Sequence, residues 1–194
     1  LDARRDLGSV FSPFLLAALA ERGIAPDPDK IITQGRKIGA PETARLVKRF
    51  GFTGPFGQGD DLFRGSLGTT PLELATAAAT LSNEGQRPHT FLLREIATPT
   101  GVALFTNQPK LTPALSSQAA RLALKAQFPA EDTLTLTGLS PARSDAWALY
   151  FGARHALCLW VGADQPAPLP APERTLSALQ TSIERLSLEF TRRP

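Results

Sequence analysis

One cysteine, two histidines and one tyrosine are all that this chain of 194 residues holds of those types, and each scarcity excludes something. A lone Cys158 cannot close an internal disulfide or build a multi-cysteine metal centre. Within the apolar run Ala156 to Val161 it reads as a buried, inert thiol. His89 and His155, both expected near turns, are too few for a zinc site, so neither a metal nor a cofactor is expected. The 21 basic and 18 acidic residues are scattered, with no basic stripe interleaved with aromatics, so nucleic acid is not an expected partner. No run reaches the roughly 20 apolar residues of a membrane span, and the start has no signal-peptide pattern. Leu1 is not an initiator methionine, which points to a processed or cut chain whose targeting or anchoring segment has been removed. The glycine-rich loop Gly54 to Gly59 lacks a following Lys-Ser/Thr and is therefore not a phosphate-binding loop.

What is present is ample for a core. With 42% apolar residues the chain reads as one domain over 1–194, its helical part at about 9–128 and its sheet with a C-terminal helix at about 129–194. Helices are expected at Phe14 to Arg22, about Pro41 to Phe50, from Pro71 to about Leu81, and Pro113 to Gln127. The third has the clearest start: Thr70 as N-cap, Pro71 first and Glu73 third form a capping box, and its alanines mark it as a central packing element. Phe91 to Ile96 and Val102 to Phe105 flank Thr98-Pro99-Thr100-Gly101 as a hairpin. Three strands follow, Thr133 to Leu139, Asp145 to Phe151 and Ala156 to Gly162, the last apolar enough to be buried on both faces. After the proline-rich link Gln165 to Pro172, Leu176, Leu179, Ile183, Leu186 and Phe190 form a helical stripe that should cover one face of the sheet.

The stretch around which these elements are organised is Gly8-Ser9-Val10-Phe11-Ser12-Pro13-Phe14. It has the layout of a nucleophilic serine at the start of a helix, where a lysine one turn later would take the hydroxyl proton. That position holds Ser12, which cannot act as a base. Read locally, Ser12 is an N-cap and Pro13 a first helical residue, and both serines are ordinary helix-start chemistry.

Three stretches, in order, resemble the transpeptidase domain of class A penicillin-binding proteins, the enzymes that cross-link peptidoglycan. Arg5 to Phe14 is similar to that family's Pro-Gly-Ser-Thr-Phe-Lys-Pro-Phe run. Ser66 to Ala75, continued to Asn83-Glu84-Gly85, is similar to its Thr-Pro-Leu-Glu-Leu-Ala helix. Leu136-Thr137-Gly138-Leu139, with Ser144-Asp145-Ala146-Trp147 and Leu159 to Asp164, resembles its Lys-Thr-Gly strand and the two strands after it. The resemblance implies an α+β fold of the penicillin-binding-protein transpeptidase and serine β-lactamase type, an antiparallel sheet covered by helices. In this chain the two strands that precede the serine helix in the family are missing.

On the same resemblance, the nucleophile falls on Ser9, the first-motif lysine on Ser12 and the third-motif lysine on Leu136. Thr137, Gly138 and Leu139 occupy substrate-binding positions, Thr137 as a carboxylate donor, Gly138 as the place of close approach and the Ser9 and Leu139 amides as an oxyanion hole. The second motif, Ser-x-Asn, is absent from the connection Arg36-Lys37-Ile38-Gly39-Ala40. Only 26 positions separate Ser12 from Ile38, so the lobe that carries this motif is expected to be trimmed. Losing one general base removes about 10² to 10⁴ in rate, and here both lysines are gone.

The expected function is therefore a catalytically inactive transpeptidase-like scaffold or binding module in peptidoglycan synthesis. It would be periplasmic or otherwise extracytoplasmic, and tethered by a segment outside this chain. Its partners would be a cell-envelope protein or a peptidoglycan peptide, with an upstream segment or another chain covering the open sheet edge. The alternative is a residual acyl-serine D,D-peptidase or β-lactam sensor that uses Ser9. A third reading is an α+β interaction domain unrelated to the family.

Overall fold

The computed structural model describes residues 4–130 and 134–191. In chain order the elements are β1 (Arg5–Asp6), a 3₁₀ turn (Gly8–Phe11), α1 (Ser12–Glu21), a second 3₁₀ turn (Pro28–Lys30), α2 (Ile31–Ile38), α3 (Ala40–Lys48), α4 (Asp60–Phe63), β2 (Gly68–Thr69) and α5 (Pro71–Ser82). Then come β3 (Gln86–Pro88), β4 (Glu95–Ala97), β5 (Ala103–Thr106), β6 (Leu111–Pro113), α6 (Ser117–Gln127), β7 (Thr135–Leu139), β8 (Ala146–Phe151), β9 (Ala156–Val161) and α7 (Pro172–Thr191). The first expected strand began at Thr133, which lies outside the described residues.

The three-stranded antiparallel sheet β7-β8-β9 divides the molecule into two layers. The reason is legible in β8, whose residues Ala-Trp-Ala-Leu-Tyr-Phe alternate small and large up to Leu149. Trp147, Leu149 and Phe151 point into the main core with the helices, while Ala146 and Ala148 face Leu179 and Ile183 of α7. Two alanines there let α7 lie close against the strand. The α7 stripe covers that face, as its spacing requires, although Phe190 at its end is exposed and meets the His155 ring instead.

The strand buried on both faces is β8, not β9. Every β9 residue except exposed Val161 is only partly buried, because β9 is an edge strand with β8 on one side and no strand on the other among the described residues. A continuous apolar run is compatible with either place, and only the pairing decides. For the same reason Cys158 is partly rather than fully buried, yet desolvation still pushes its thiol up to about 12.

The most enclosed helix is α1 rather than α5. Pro13 through Leu19 are all buried, because the run Phe-Leu-Leu-Ala-Ala-Leu is apolar all round and not merely on one stripe. Phe14 sits in its midst, with ring centroids 5.7 Å from Phe50, 5.2 Å from Phe52 and 6.3 Å from Phe151. Helix α5 packs on β9 and β8 and keeps half of its expected capping box: Thr70 Oγ accepts from the Glu73 amide at 3.2 Å. The Glu73 carboxylate does not return to Thr70. It takes Arg4 (2.8 and 2.9 Å), Thr53 (2.8 Å) and Thr69 (3.1 Å). Desolvation pushes its pKa up, but these donors and the Arg4 charge outweigh that and leave it lowered.

Three further differences have local causes. The fourth expected helix begins at Ser117, since Pro113 belongs to β6 and Ser116 supplies the cap, its Oγ accepting from the Ala119 amide. The segment Arg36 to Ala40 is not a connection but the last turn of α2, a single Gly39 and the first residue of α3. Ile31, Ile32, Gly35 and Ile38 give α2 the helical face that packs on the core. Finally, β4 and β5 form the expected hairpin but stand as a separate two-stranded sheet.

Candidate active site

The segment before Ser9 is fixed by an array of polar contacts to the sheet. Arg5 Nη2 donates to the carbonyls of Ala163 (2.7 Å) and Asp164 (2.6 Å), and its guanidinium lies 5.8 Å from the Trp160 ring centroid. Its Nε is 3.5 Å from Asp145 Oδ1, which also accepts from Trp160 Nε1 at 3.0 Å. Ser144 Oγ donates to the other Asp145 oxygen at 2.6 Å, and Ser140 Oγ accepts from the Ser144 and Asp145 amides. Trp147 Nε1 donates to the Asp6 carbonyl at 2.9 Å. The Asp6 carboxyl, held against Ser66 at 3.4 Å, has its pKa raised: desolvation is the main cause, the Ser66 hydroxyl opposes it and the Asp145 charge adds to it.

From this anchor the chain turns at Gly8, whose φ of 60° and position against the Leu139 carbonyl leave no room for a side chain. A Cβ there would lie 1.7 Å from the Leu139 oxygen. The amides of Leu7 and Gly8 both donate to the Gly65 carbonyl, at 3.1 and 3.0 Å. The 3₁₀ turn that follows presents Ser9 to solvent and buries Val10 and Phe11.

Strand β7 passes directly beneath. A Cβ on Gly138 would lie 2.1 Å from Ser9 Oγ, so the absent side chain is what allows the serine to rest on the strand. Fold and site thus bring Ser9, Gly138 and Leu139 together. Alternation along β7 puts Leu136 on the same face as Gly138, where it packs against the main core, and Thr137 on the opposite face with Leu139, which packs in the α7 cluster. A lysine at position 136 would face the serine turn; the leucine instead extends the core toward it.

Ser12 does not cap a helix. It is the first residue of α1, Pro13 is the second, Phe11 holds the N-cap position, and no side chain caps there. The Ser12 amide donates to the Ser9 carbonyl. In a 3₁₀ turn residues i and i+3 eclipse, so position 12 stacks below position 9. Ser12 Oγ donates to Gln127 Oε1, at the end of α6, at 2.7 Å. Gln127 is the functional-region residue that sequence reading missed. Nothing local marks it, since the contact spans 115 positions.

Among the described residues the Ser9 hydroxyl makes no hydrogen bond. The cations nearest the expected second motif are committed or exposed: Arg36 pairs with Asp60 (Nε to Oδ1 2.9 Å), and Lys37 is open to solvent. No group of three or more His, Cys, Asp or Glu among the described residues is placed to hold a metal. No described helix is long and apolar enough to cross a membrane.

Comparison with known proteins places this fold. No protein-family model matches the chain. Penicillin-binding protein 1B of Vibrio cholerae serotype O1 is 24% identical over 153 residues, 71% of this chain and 20% of that protein. Among solved structures, penicillin-binding protein 1A of Haemophilus influenzae superposes with a TM-score of 0.73 at 21% identity, covering 84% of this chain and 38% of that one. PBPA of Mycobacterium tuberculosis gives 0.71 at 17% identity, covering 96% of this chain and 62% of that one. The chain therefore spans less than two thirds of each of them.

Proposed function

Because this chain carries the fold of penicillin-binding-protein transpeptidase domains over most of its length, we propose that it is a non-catalytic member of that fold, acting as a scaffold or binding module in peptidoglycan synthesis outside the cytoplasm. The observation that carries the reading is the Ser12–Gln127 hydrogen bond. At the position where a base would take the proton of Ser9 stands a hydroxyl that donates its own proton to Gln127 Oε1. Leu136 adds the second loss, an apolar side chain where a cation would draw a substrate carboxylate. An unactivated serine hydroxyl is a poor nucleophile at neutral pH.

What remains is a frame for binding. Gly138 seats the Ser9 hydroxyl against β7, and the outer edge of β9 has no strand partner among the described residues. In this reading a strand supplied by an envelope partner, or by further polypeptide outside residues 4–191, adds to that edge.

Fluorescent penicillin and intact-mass measurement test the inactivity. Unchanged mass after prolonged exposure to several β-lactams is the expected result. Stoichiometric labelling that Ser9→Ala abolishes would overturn it in favour of an acyl-serine enzyme or sensor.

A further inference from the structure

The apolar surface left to solvent is concentrated in one place. From His89 to Leu111 every residue is exposed except Thr98 and Asn107. Eight of the thirteen large hydrophobic side chains that are exposed among the described residues lie in this ribbon, including Leu92 (106% exposed), Leu104 (68%) and Val102 (60%). All residues of β4 and β5 are exposed. Ile96 and Phe105 are cross-strand partners and share a face, while Leu104 points to the other, so neither face of the hairpin is covered. Both outer edges lack a strand partner among the described residues.

An isolated two-stranded hairpin is at best marginally stable in water, and a contiguous exposed patch beyond a few hundred Å² marks an interaction surface. We propose that a second copy of this chain docks here, ribbon against ribbon. This inference is independent of whether Ser9 reacts.

Two features select a second copy. At about 150 to 200 Å² for a fully exposed side chain of this size, the eight exposed fractions amount to on the order of 800 Å² over the ribbon's two faces, an upper bound that reaches one partner's share of a standard interface. The ribbon's charge is also complementary to itself. Arg94 and Glu95 are adjacent and of opposite sign, and neither makes an ion pair among the described residues. An antiparallel copy related by a two-fold axis brings each Arg94 toward the other's Glu95 and closes the assembly at two. The ribbon's remaining formal charge is Lys110 alone, so a strongly charged partner finds little to hold. The tip, Thr98-Pro99-Thr100-Gly101, is polar and unsuited to entering a lipid phase.

Sedimentation equilibrium of the whole chain, from about 1 to about 200 μM, spans the affinities expected of such an interface. A monomer–dimer equilibrium is expected, weakened at least about tenfold by Leu104→Asp, a position exposed enough that the thermal melt should not change. Arg94→Glu should weaken association, and the swap Arg94→Glu with Glu95→Arg should return it. A monomer at every concentration, a dimer indifferent to Leu104→Asp, or a monomer that instead co-sediments with anionic vesicles would overturn the proposal.

Discussion

In the proposed reading two side chains limit what the serine turn can do, and both act by what they touch. Ser12 is held by Gln127, and Leu136 by the core, so neither offers a proton acceptor or a cation to Ser9. Asp6 is the residue whose ionisation is most informative. Its pKa is raised above 3.8, so the folded state holds the proton more tightly than the unfolded chain does. Its ionisation therefore costs stability that is absent below the unfolded value and felt as pH rises through the folded one. Asp6→Asn should raise the melting temperature at pH 7, and that gain should vanish below about pH 4, where both forms are neutral. A gain that persists at acid pH would mean that the substitution acts through packing. The Trp147 bond is not at risk, because it ends on the backbone carbonyl.

At the scale of elements, the site is a contact between a 3₁₀ turn and a strand. Gly138→Ala would drive a methyl group into Ser9 Oγ and against Val10. Overpacking of this kind costs about 1 to 3 kcal/mol. If the clash with the hydroxyl is what matters, Ser9→Ala should recover part of that loss, and the double variant should be more stable than the sum of the single changes. Denaturant titration of the four proteins measures the coupling, and strict additivity would place the strain elsewhere. The same contact explains why Gly8 and Gly138 are glycines whether or not the site is reactive: one abuts the Leu139 carbonyl and the other abuts Ser9.

Across the whole molecule, stability is unevenly placed. Sheet and helices share a main core that runs from Leu7 to Phe151, whereas the ribbon stands outside it with β4 and β5 paired only to each other among the described residues. Amide exchange in dilute solution should be slowest in β8, flanked by a strand on each side and buried in all but Tyr150, and fastest in β4 and β5. Ribbon amides as slow as those of β8 in the dilute protein would contradict this ordering.

The sequence alone determined most of the helices and the three-strand run, though not α2 or β6, together with the α5 start at Thr70, the alternation of β8 and the α7 stripe, because these rest on local propensity and periodicity. It also singled out Ser9, Ser12 and Leu136 as candidates by their order along the chain, since the three stretches that carry the resemblance are each contiguous. Only the tertiary structure decided which strand is central, because a fully apolar run suits an edge as well as a middle until pairing is known. It alone placed Gly138 beneath Ser9, turned Thr137 to the other face and gave Ser12 to Gln127. Those contacts join segments more than a hundred residues apart, and packing rather than pattern brings such segments together.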